Sequence, residues 1–373
     1  MRVLHICSYY LRMSVFKDLC DRLIGKNCDV RVFVPLQNGR PKTIYKKPLD
    51  DYVDACHCFN KNDRFIYWLK QQKIYARAER QYDFSQFDLT HAHTLFSNGY
   101  VSYKLNKRFG IPYIVAVRAT DISVFFKKLP WLRSLGVRIL QDASAVIFIS
   151  PQGKQQTLEQ YIPDRLKAEI EAKSFVIPNG LTPFWMQNRH RNTLELNDKQ
   201  VKILTVGKTS KEKNLLASIA VCKELRKRGY DISHTIIGRV VDKRLAENLR
   251  QNESVTFVEE VEKEKLLEHF RASHIFFLPS VRETFGRVYA EALTQGIPVV
   301  YSKGQGFDGY YEQGEVGYAV DNGDIRDMAD KLQDIIDNYD RFKKRVNYAA
   351  IDIFNWDNIV DQYCDIYAQS AKR

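Results

Sequence analysis

Two glutamates, Glu283 and Glu291, bracket the most chemically suggestive segment of this 373-residue chain, Pro279-Ser280-Val281-Arg282-Glu283-Thr284-Phe285-Gly286-Arg287-Val288-Tyr289-Ala290-Glu291-Ala292-Leu293. The run His274-Ile275-Phe276-Phe277-Leu278 before it reads as a buried strand, and helical spacing follows from Phe285 to Thr294. Glu283 then falls in a strand-to-helix loop, and Glu291 about two turns into a helix on a face that is otherwise small and apolar. An acid near a helix N-terminus is favoured by the helix dipole alone, which accounts for Glu283 without any function. The same account fits Glu291 less well, because a charged side chain is rarely buried without a partner. Between the two, Thr284-Phe285-Gly286 presents the unpaired N–H groups of a helix start, an anion site. Two carboxylates for hydroxyls and an N–H cradle for phosphates suit one ligand carrying both, as a nucleotide sugar does.

Other segments imitate chemistry they lack. Gly207-Lys208-Thr209-Ser210 has the end of a P-loop, but the first glycine of that motif would stand at Lys202, inside a strand-like run. Gly304-Gln305-Gly306-Phe307-Asp308-Gly309 spells a dinucleotide fingerprint after the wrong strand, with only Asp324 near the place of its acidic partner, and reads as a glycine-rich turn. Cys56-His57-Cys58 has no second pair of ligands at zinc spacing and reads as ordinary loop cysteines.

The elements that must position these residues alternate strand and helix. Strand-like runs are Val3–Ile6, Val30–Val34, Tyr113–Val117, Ala145–Ile149 and Phe175–Ile177, then Val201–Val206, Ser233–Ile237, Val255–Val258, Ile275–Leu278 and Pro298–Tyr301. Helical spacing lies between them, as in Leu215–Arg228, and the chain ends on an aromatic-rich helical stretch, Phe354–Gln369. This pattern predicts an α/β fold of two Rossmann-like domains. The Pro-, Asn- and Gly-containing stretch Pro178–Asp198 is read as the join, with domains at 1–180 and 181–355 and the last helix, 356–373, returning to the first. Ligands of such sheets sit beyond the carboxyl ends of the strands, so two domains face to face would line a central cleft.

Residue by residue, the chain resembles the retaining glycosyltransferases of family 4, two-domain enzymes of the GT-B fold. The segment from Glu283 to Glu291 matches their E-x7-E motif, Val206-Gly207-Lys208 through Lys213-Asn214 their "V-G-R…K-G/N" stretch, and Gly296-Ile297-Pro298-Val299-Val300 the following "G-x-P-V-V". Val176-Ile177-Pro178-Asn179-Gly180 matches the "V-I-P-N-G" that ends their first domain, and Asp88-Leu89-Thr90-His91-Ala92-His93 their "D-v-v-H-x-H". Two departures lie on the acceptor side: Cys7–Ser14 replaces a Gly-Gly loop, and Arg118, in Val117-Arg118-Ala119-Thr120-Asp121, stands where His is usual.

The resemblance implies transfer of a sugar from a UDP- or GDP-linked donor with retention of configuration. It places Glu291 on the ribose hydroxyls, Glu283 on the donor sugar and the Gly207 and Thr284-Phe285-Gly286 backbones at the donor. Arg118 and Asp121 would stand near the reacting carbon, with His93, Ser14 and Arg118 on the acceptor side. A departing diphosphate needs fixed cations or a metal. Asp-x-Asp, the usual way to present a divalent ion, is absent from the chain. Lys208 and Lys213 are therefore the candidate cations, against the alternative that they are solvated like Lys211, and neither metal nor other cofactor is expected.

Charge adds a partner. Lys+Arg 57 against Asp+Glu 45 gives +12, and residues 1–180, with 28 basic and 16 acidic residues, carry all of it. The basic half suggests an anionic partner. Arg64-Phe65-Ile66-Tyr67-Trp68-Leu69-Lys70 onward to Arg80, and Val124-Phe125-Phe126-Lys127-Lys128-Leu129-Pro130-Trp131-Leu132-Arg133, mix aromatic with basic residues as bilayer-surface segments do. Aromatics packed on the sheet with merely solvated lysines would give the same pattern. No nucleic-acid module is present. No run approaches the ~20 apolar residues of a membrane span. The first residues carry no cleavable signal pattern, and seven cysteines without framework spacing fit a reducing compartment. The expectation is a cytoplasmic protein, peripheral on the inner face of the cell membrane, acting on a lipid-linked saccharide of surface-polysaccharide synthesis. A nucleotide-sugar epimerase and an inactive nucleotide-sugar-binding protein are the alternatives.

Overall fold

Strands β1 (Arg2–Ile6), β2 (Asp29–Gln37), β3 (Val53–Phe59), β4 (Leu89–Ala92), β5 (Tyr113–Val117), β6 (Ala145–Phe148) and β7 (Ser174–Val176) form one sheet in the order β3-β2-β1-β4-β5-β6-β7. Strands β8 (Gln200–Val206), β9 (Asp231–Gly238), β10 (Thr256–Glu259), β11 (Ile275–Leu278), β12 (Val299–Ser302) and β13 (Gly317–Val320) form a second, ordered β10-β9-β8-β11-β12-β13. Neighbouring strands pair in parallel throughout. The computed structural model describes residues 1–41, 49–196 and 200–371. The chain divides into two compact units, Met1–Gly180 with Trp356–Arg373, and Leu181–Asn355. Each is a Rossmann-like α/β unit.

In the first unit the order reverses beside β1: the chain runs outward through β2 and β3 and then returns to lay β4 on the other side. Loops after β1 and β4 therefore part at a switch point, where ligands of open parallel sheets bind. The central strands are buried along their length, β5 on every residue, because helices cover both faces. The final helix, Trp356–Ala371, contributes Trp356, Ile359, Val360, Tyr363, Ile366 and Tyr367 to this core, beside Phe16 and Leu19 of the helix Ser14–Gly25. Gly180 makes that return possible, since a Cβ there would lie 2.5 Å from the Trp356 ring. In the second unit the switch point falls between β8 and β11.

Several local readings change. Strands β3, β4 and β13 escape the period-two and β-branched criteria, being rich in Cys, His, Asp or Gly, and are held by their places in the sheets. Cys56-His57-Cys58 is thus strand, not loop: Cys56 faces the core, and His57 turns outward with Nε2 2.9 Å from the Arg40 carbonyl. The stretch Pro178–Asp198 is no loose linker as far as it is described (197–199 lie outside the described residues). Trp185, in the helix Pro183–Gln187, is 2% exposed and packs edge-on to Phe270 at 5.5 Å. The helix expected from Phe285 begins at Arg287, because Gly286 takes φ +81°, left-handed backbone that breaks the helical run. Glu291 consequently stands about one turn into its helix, not two.

Candidate functional site

The loops after β8 and β11 of the second unit lie together. After Val206 the chain passes Gly207 and Lys208, makes a 3-10 turn at Lys211–Lys213 and enters the helix Leu215–Lys227 through Asn214, at φ +52°. Lys213 lays its stem across Gly207: a Cβ at Gly207 would sit 3.3 Å from Lys213 Cγ. From below, Gly238 at the end of β9 presses on the same loop, where a Cβ would come within 2.0 Å of the Gly207 oxygen. The turn is tied to the β11 loop through the Glu212 carbonyl, which accepts from the Val281 N–H at 2.9 Å. Asn214 also donates to the Asn322 carbonyl, while Asn322 donates to that of Ser280.

This framework brings Lys213 Nζ to 2.5 Å from Glu283 Oε2, with side chains 16% and 11% exposed. Glu283 is held at three more points. Its N–H donates to Gln305 Oε1 at 2.9 Å, its carbonyl accepts from the Gly306 N–H at 3.2 Å, and its Oε1 accepts from the Thr284 N–H at 3.1 Å. The glycine-rich turn after β12 therefore supports the loop after β11. Gly306 must be glycine, since a Cβ would lie 2.2 Å from the Thr284 oxygen, and Asp324 caps the helix Ile325–Asp337 rather than meeting a ribose. The Thr284 N–H, read from sequence as free, is already engaged by Glu283. Phe285 is 3% exposed, packed on Tyr310 and Phe354, so it anchors the loop. Lys208 differs from Lys213: its side chain is 42% exposed, with Glu212 at 3.5 Å.

Glu291 is partly buried, and among the described residues its carboxylate has no hydrogen-bond partner. Burial pushes its pKa up to about 7, with Arg287 and Lys263 pulling the other way. Both oxygens are left as acceptors for a ligand's hydroxyls.

In the first unit Arg118 immediately follows β5. Its Nε donates to the His93 carbonyl at 3.2 Å and its Nη1 to Asn179 Oδ1 at 3.0 Å, and the guanidinium lies over the Phe16 ring at 5.1 Å. It is a fixed cation with no carboxylate in ion-pair range among the described residues, and burial lowers its pKa. Asp121 is 1% exposed and accepts from the N–H groups of Leu95, Phe96 and Arg118. Burial pushes its pKa up to about 6 against those bonds. Asp121 therefore clamps the loops after β4 and β5 together.

His93 is 0% exposed: its Nε2 lies 2.9 Å from His5 Nδ1, and its ring stacks on His5 and tilts against His91, which meets the Tyr367 hydroxyl at 2.6 Å. The His93 carbonyl holds Arg118 Nε. These three imidazoles are the one group among the described residues whose ligating atoms lie within 4.8 Å of one another, the geometry that could hold a metal. Burial drives His5 down to about 3 and the other two well below the usual range, so all three are neutral. Ser14 is partly exposed at the first position of its helix. In place of a Gly-Gly loop the chain makes a 3-10 turn, Tyr10–Arg12, with Ser8 Oγ held by Asn98 Nδ2 at 2.7 Å. Asn179, Gly238, Gly306 and Asn98 escaped the sequence reading as site residues. Asn179 stood within a quoted motif and Gly306 within the glycine-rich turn, but Gly238 and Asn98 carry no local signal.

Residues 14–183 match the family described as Glycosyltransferase Family 4, and residues 186–352 that described as Glycosyl transferases group 1. D-inositol 3-phosphate glycosyltransferase of Mycolicibacterium smegmatis is 25% identical over 312 residues, 79% of this chain and 70% of that one. The capsular polysaccharide biosynthesis glycosyltransferase CapM of Staphylococcus aureus is 28% identical over 209 residues, 52% of this chain and 53% of its own. Among solved structures, sucrose-phosphate synthase from Thermosynechococcus elongatus superposes with TM-score 0.72 at 17% identity, covering 99% of this chain and 98% of that one. Anabaena Alr3699/HepE in complex with UDP-glucose gives 0.64 at 16% identity, covering 99% of each.

Proposed function

The chain belongs to glycosyltransferase family 4, and from that premise we propose that it moves a sugar, with retention of configuration and without a metal, from a nucleotide sugar held by the second unit to a saccharide or lipid-linked acceptor at the first. The observation that carries this reading is the donor loop: an unpartnered, partly buried Glu291 one turn into the helix that follows a Glu283 ion-paired to Lys213. Glu291 takes two ribose hydroxyls. Lys213 leaves Glu283 for the diphosphate as negative charge builds there, with Lys208 as the second, exposed cation. Glu283, released from Lys213, accepts from hydroxyls of the donor sugar. The acceptor hydroxyl attacks the face the leaving group vacates, and a phosphate oxygen takes its proton. Arg118, held by His93, Asn179 and Phe16, is a positioned cation for an anionic or polar acceptor.

UDP in a solved neighbour and inositol phosphate or capsular polysaccharide in the names of relatives guide the choice of substrates to try. Product analysis with labelled UDP- and GDP-sugars in excess chelator tests the reading. A glycoside plus free nucleoside diphosphate is expected. A sugar epimerised on its nucleotide, or strict dependence on Mn²⁺ or Mg²⁺, contradicts it.

The surface of the first unit supports membrane docking. Phe65 is 87% exposed, Ile66 56%, Trp68 44%, Leu69 42% and Trp131 68%, whereas Phe126 is buried. The two aromatic-basic stretches adjoin through Tyr67 and Phe125, 6.2 Å apart. Counted by unit, the first holds 30 basic and 19 acidic residues and the second 27 and 26. No helix among the described residues is long and apolar enough to cross a membrane. Arg133, also exposed, is tied down by its Nε, which donates to the Phe126 carbonyl at 2.7 Å. Lys127→Ala/Lys128→Ala and Phe65→Ala/Trp131→Ala variants should each lose retention on anionic vesicles, the lysines by about 1 kcal/mol apiece. High salt should release the wild type. Co-sedimentation that is equal on neutral and anionic lipid, or absent on both, refutes the membrane reading.

A further inference from the structure

The carboxyl ends of β1–β4 enclose a cavity of about 230 Å³ in the first unit, apart from Arg118. Four cations from four separate stretches line it: Arg12 after β1, Arg40 after β2, Arg64 after β3, and Lys70 in the helix Tyr67–Gln81. No carboxylate lines the cavity, and none of the four cations has an ion-pair partner among the described residues. Residues 42–48, next in sequence after Pro41, read Lys-Thr-Ile-Tyr-Lys-Lys-Pro and contain no acidic residue. Lys70 is half-buried with Nζ 4.9 Å from the Phe59 ring centre, and burial together with Arg64 lowers its pKa. Ser8 Oγ accepts from Asn98 Nδ2, which leaves its own proton to donate into the cavity.

Four like charges around one concavity repel each other and focus a positive potential that only an anion relieves. A surface basic patch would spread its charges and salt them with carboxylates, as elsewhere in this unit, where Arg31 pairs with Asp54 and Lys73 with Asp63. The volume falls below the 300–1,000 Å³ of whole-ligand sites, enough for a phosphate and the group next to it. We propose that Arg12, Arg40, Arg64, Lys70 and Ser8 form a subsite for the phosphate or diphosphate group of the acceptor, separate from the donor's diphosphate site. This rests on the glycosyltransferase reading above, and it makes the acceptor a phosphate-bearing one. The replacement of a Gly-Gly loop by the Tyr10–Arg12 turn then has a use: it delivers Arg12 to the cavity.

The test titrates inorganic phosphate, then glycerol phosphate, into the full chain with UDP or GDP in excess to fill the donor loop. Wild type is compared with Arg12→Ala/Arg64→Ala/Lys70→Ala and with the charge-keeping Arg12→Lys/Arg64→Lys. A loss of phosphate affinity of about tenfold or more in the alanine variant is expected, because charged hydrogen bonds are removed. The lysine variant should retain binding, and nucleotide affinity should stay within about twofold in both. Retention of wild type, but not the alanine variant, on vesicles containing phosphatidic acid assigns the phosphate to a lipid. Binding of glycerol phosphate without such retention assigns it to a soluble acceptor. Equal phosphate affinity in wild type and alanine variant, or none at millimolar phosphate, overturns the subsite. Failure of every nucleotide to bind the wild type overturns the glycosyltransferase reading instead, and the phosphate titration still decides the subsite.

Discussion

Lys213→Ala should lower kcat by about two to three orders of magnitude, the scale of losing one positioned stabiliser of transition-state charge, while KM for the nucleotide sugar moves far less. The structure complicates the simple form of this experiment. Lys213 is the partner of a Glu283 carboxylate only 11% exposed, and removing one member of a shielded pair leaves the other charge uncompensated. A loss of activity could then come from a displaced Glu283 loop. Lys213→Ala/Glu283→Ala separates the causes. If the orphaned carboxylate were the cause, the double variant would be no slower than Glu283→Ala alone; if Lys213 stabilises the departing diphosphate, it is slower than Glu283→Ala. Lys208→Ala should cost less, since its side chain is 42% exposed and its charge is screened by solvent. A folded Lys213→Ala protein within about tenfold of wild-type kcat removes Lys213 from the transition state.

Glu291→Ala should weaken donor binding about 10- to 150-fold, the range for hydrogen bonds to a charged group. Its raised pKa adds two signatures with definite signs. Because hydroxyls donate to the ionised carboxylate, affinity for the nucleotide sugar should rise with pH up to about 7 and level above it. Below that point affinity should fall toward tenfold per pH unit, and Glu291→Gln should flatten the profile. In the ligand-free protein the folded state holds its proton up to about 7, whereas an unfolded glutamate releases it near 4.5. Between those values the folded state binds more protons than the unfolded one, so this group's contribution to stability falls as pH rises through the window and stays low above it. Glu291→Gln should therefore match wild type near pH 4 and melt a few degrees, roughly, above it near pH 8. Calorimetry at the two pH values with titration across the range measures both. A flat wild-type profile, with Glu291→Gln no more stable at pH 8, takes Glu291 out of the ribose position.

What the sequence makes legible is what neighbours along the chain decide. Alternating β-branched runs and helical spacing specify α/β layers because each element must bury its own periodic face. Glu283 and Glu291 fall beyond β11 because strand, loop and helix follow one another within a single short segment. The strands missed, such as Leu89-Thr90-His91-Ala92, carry no such local signal: the sheet selects them by offering a central place between β1 and β5. The helix start at Arg287 likewise hangs on the backbone sign of one glycine, Gly286.

Only the tertiary structure pairs residues far apart in sequence, because strand order, not chain order, decides which loops meet. It joins Lys213 to Glu283 and Arg118 to Asn179, and ties Asp121 and the His93 carbonyl to the loops around them. It splits the aromatic-basic stretches into a buried Phe126 and an exposed Trp131, which composition treats alike. It also gathers Arg12, Arg40, Arg64 and Lys70 around one cavity. The sequence determined that the first half is basic, since charge adds up without geometry. Where that charge converges depends on three parallel strands ending side by side, and no local pattern along the chain encodes that.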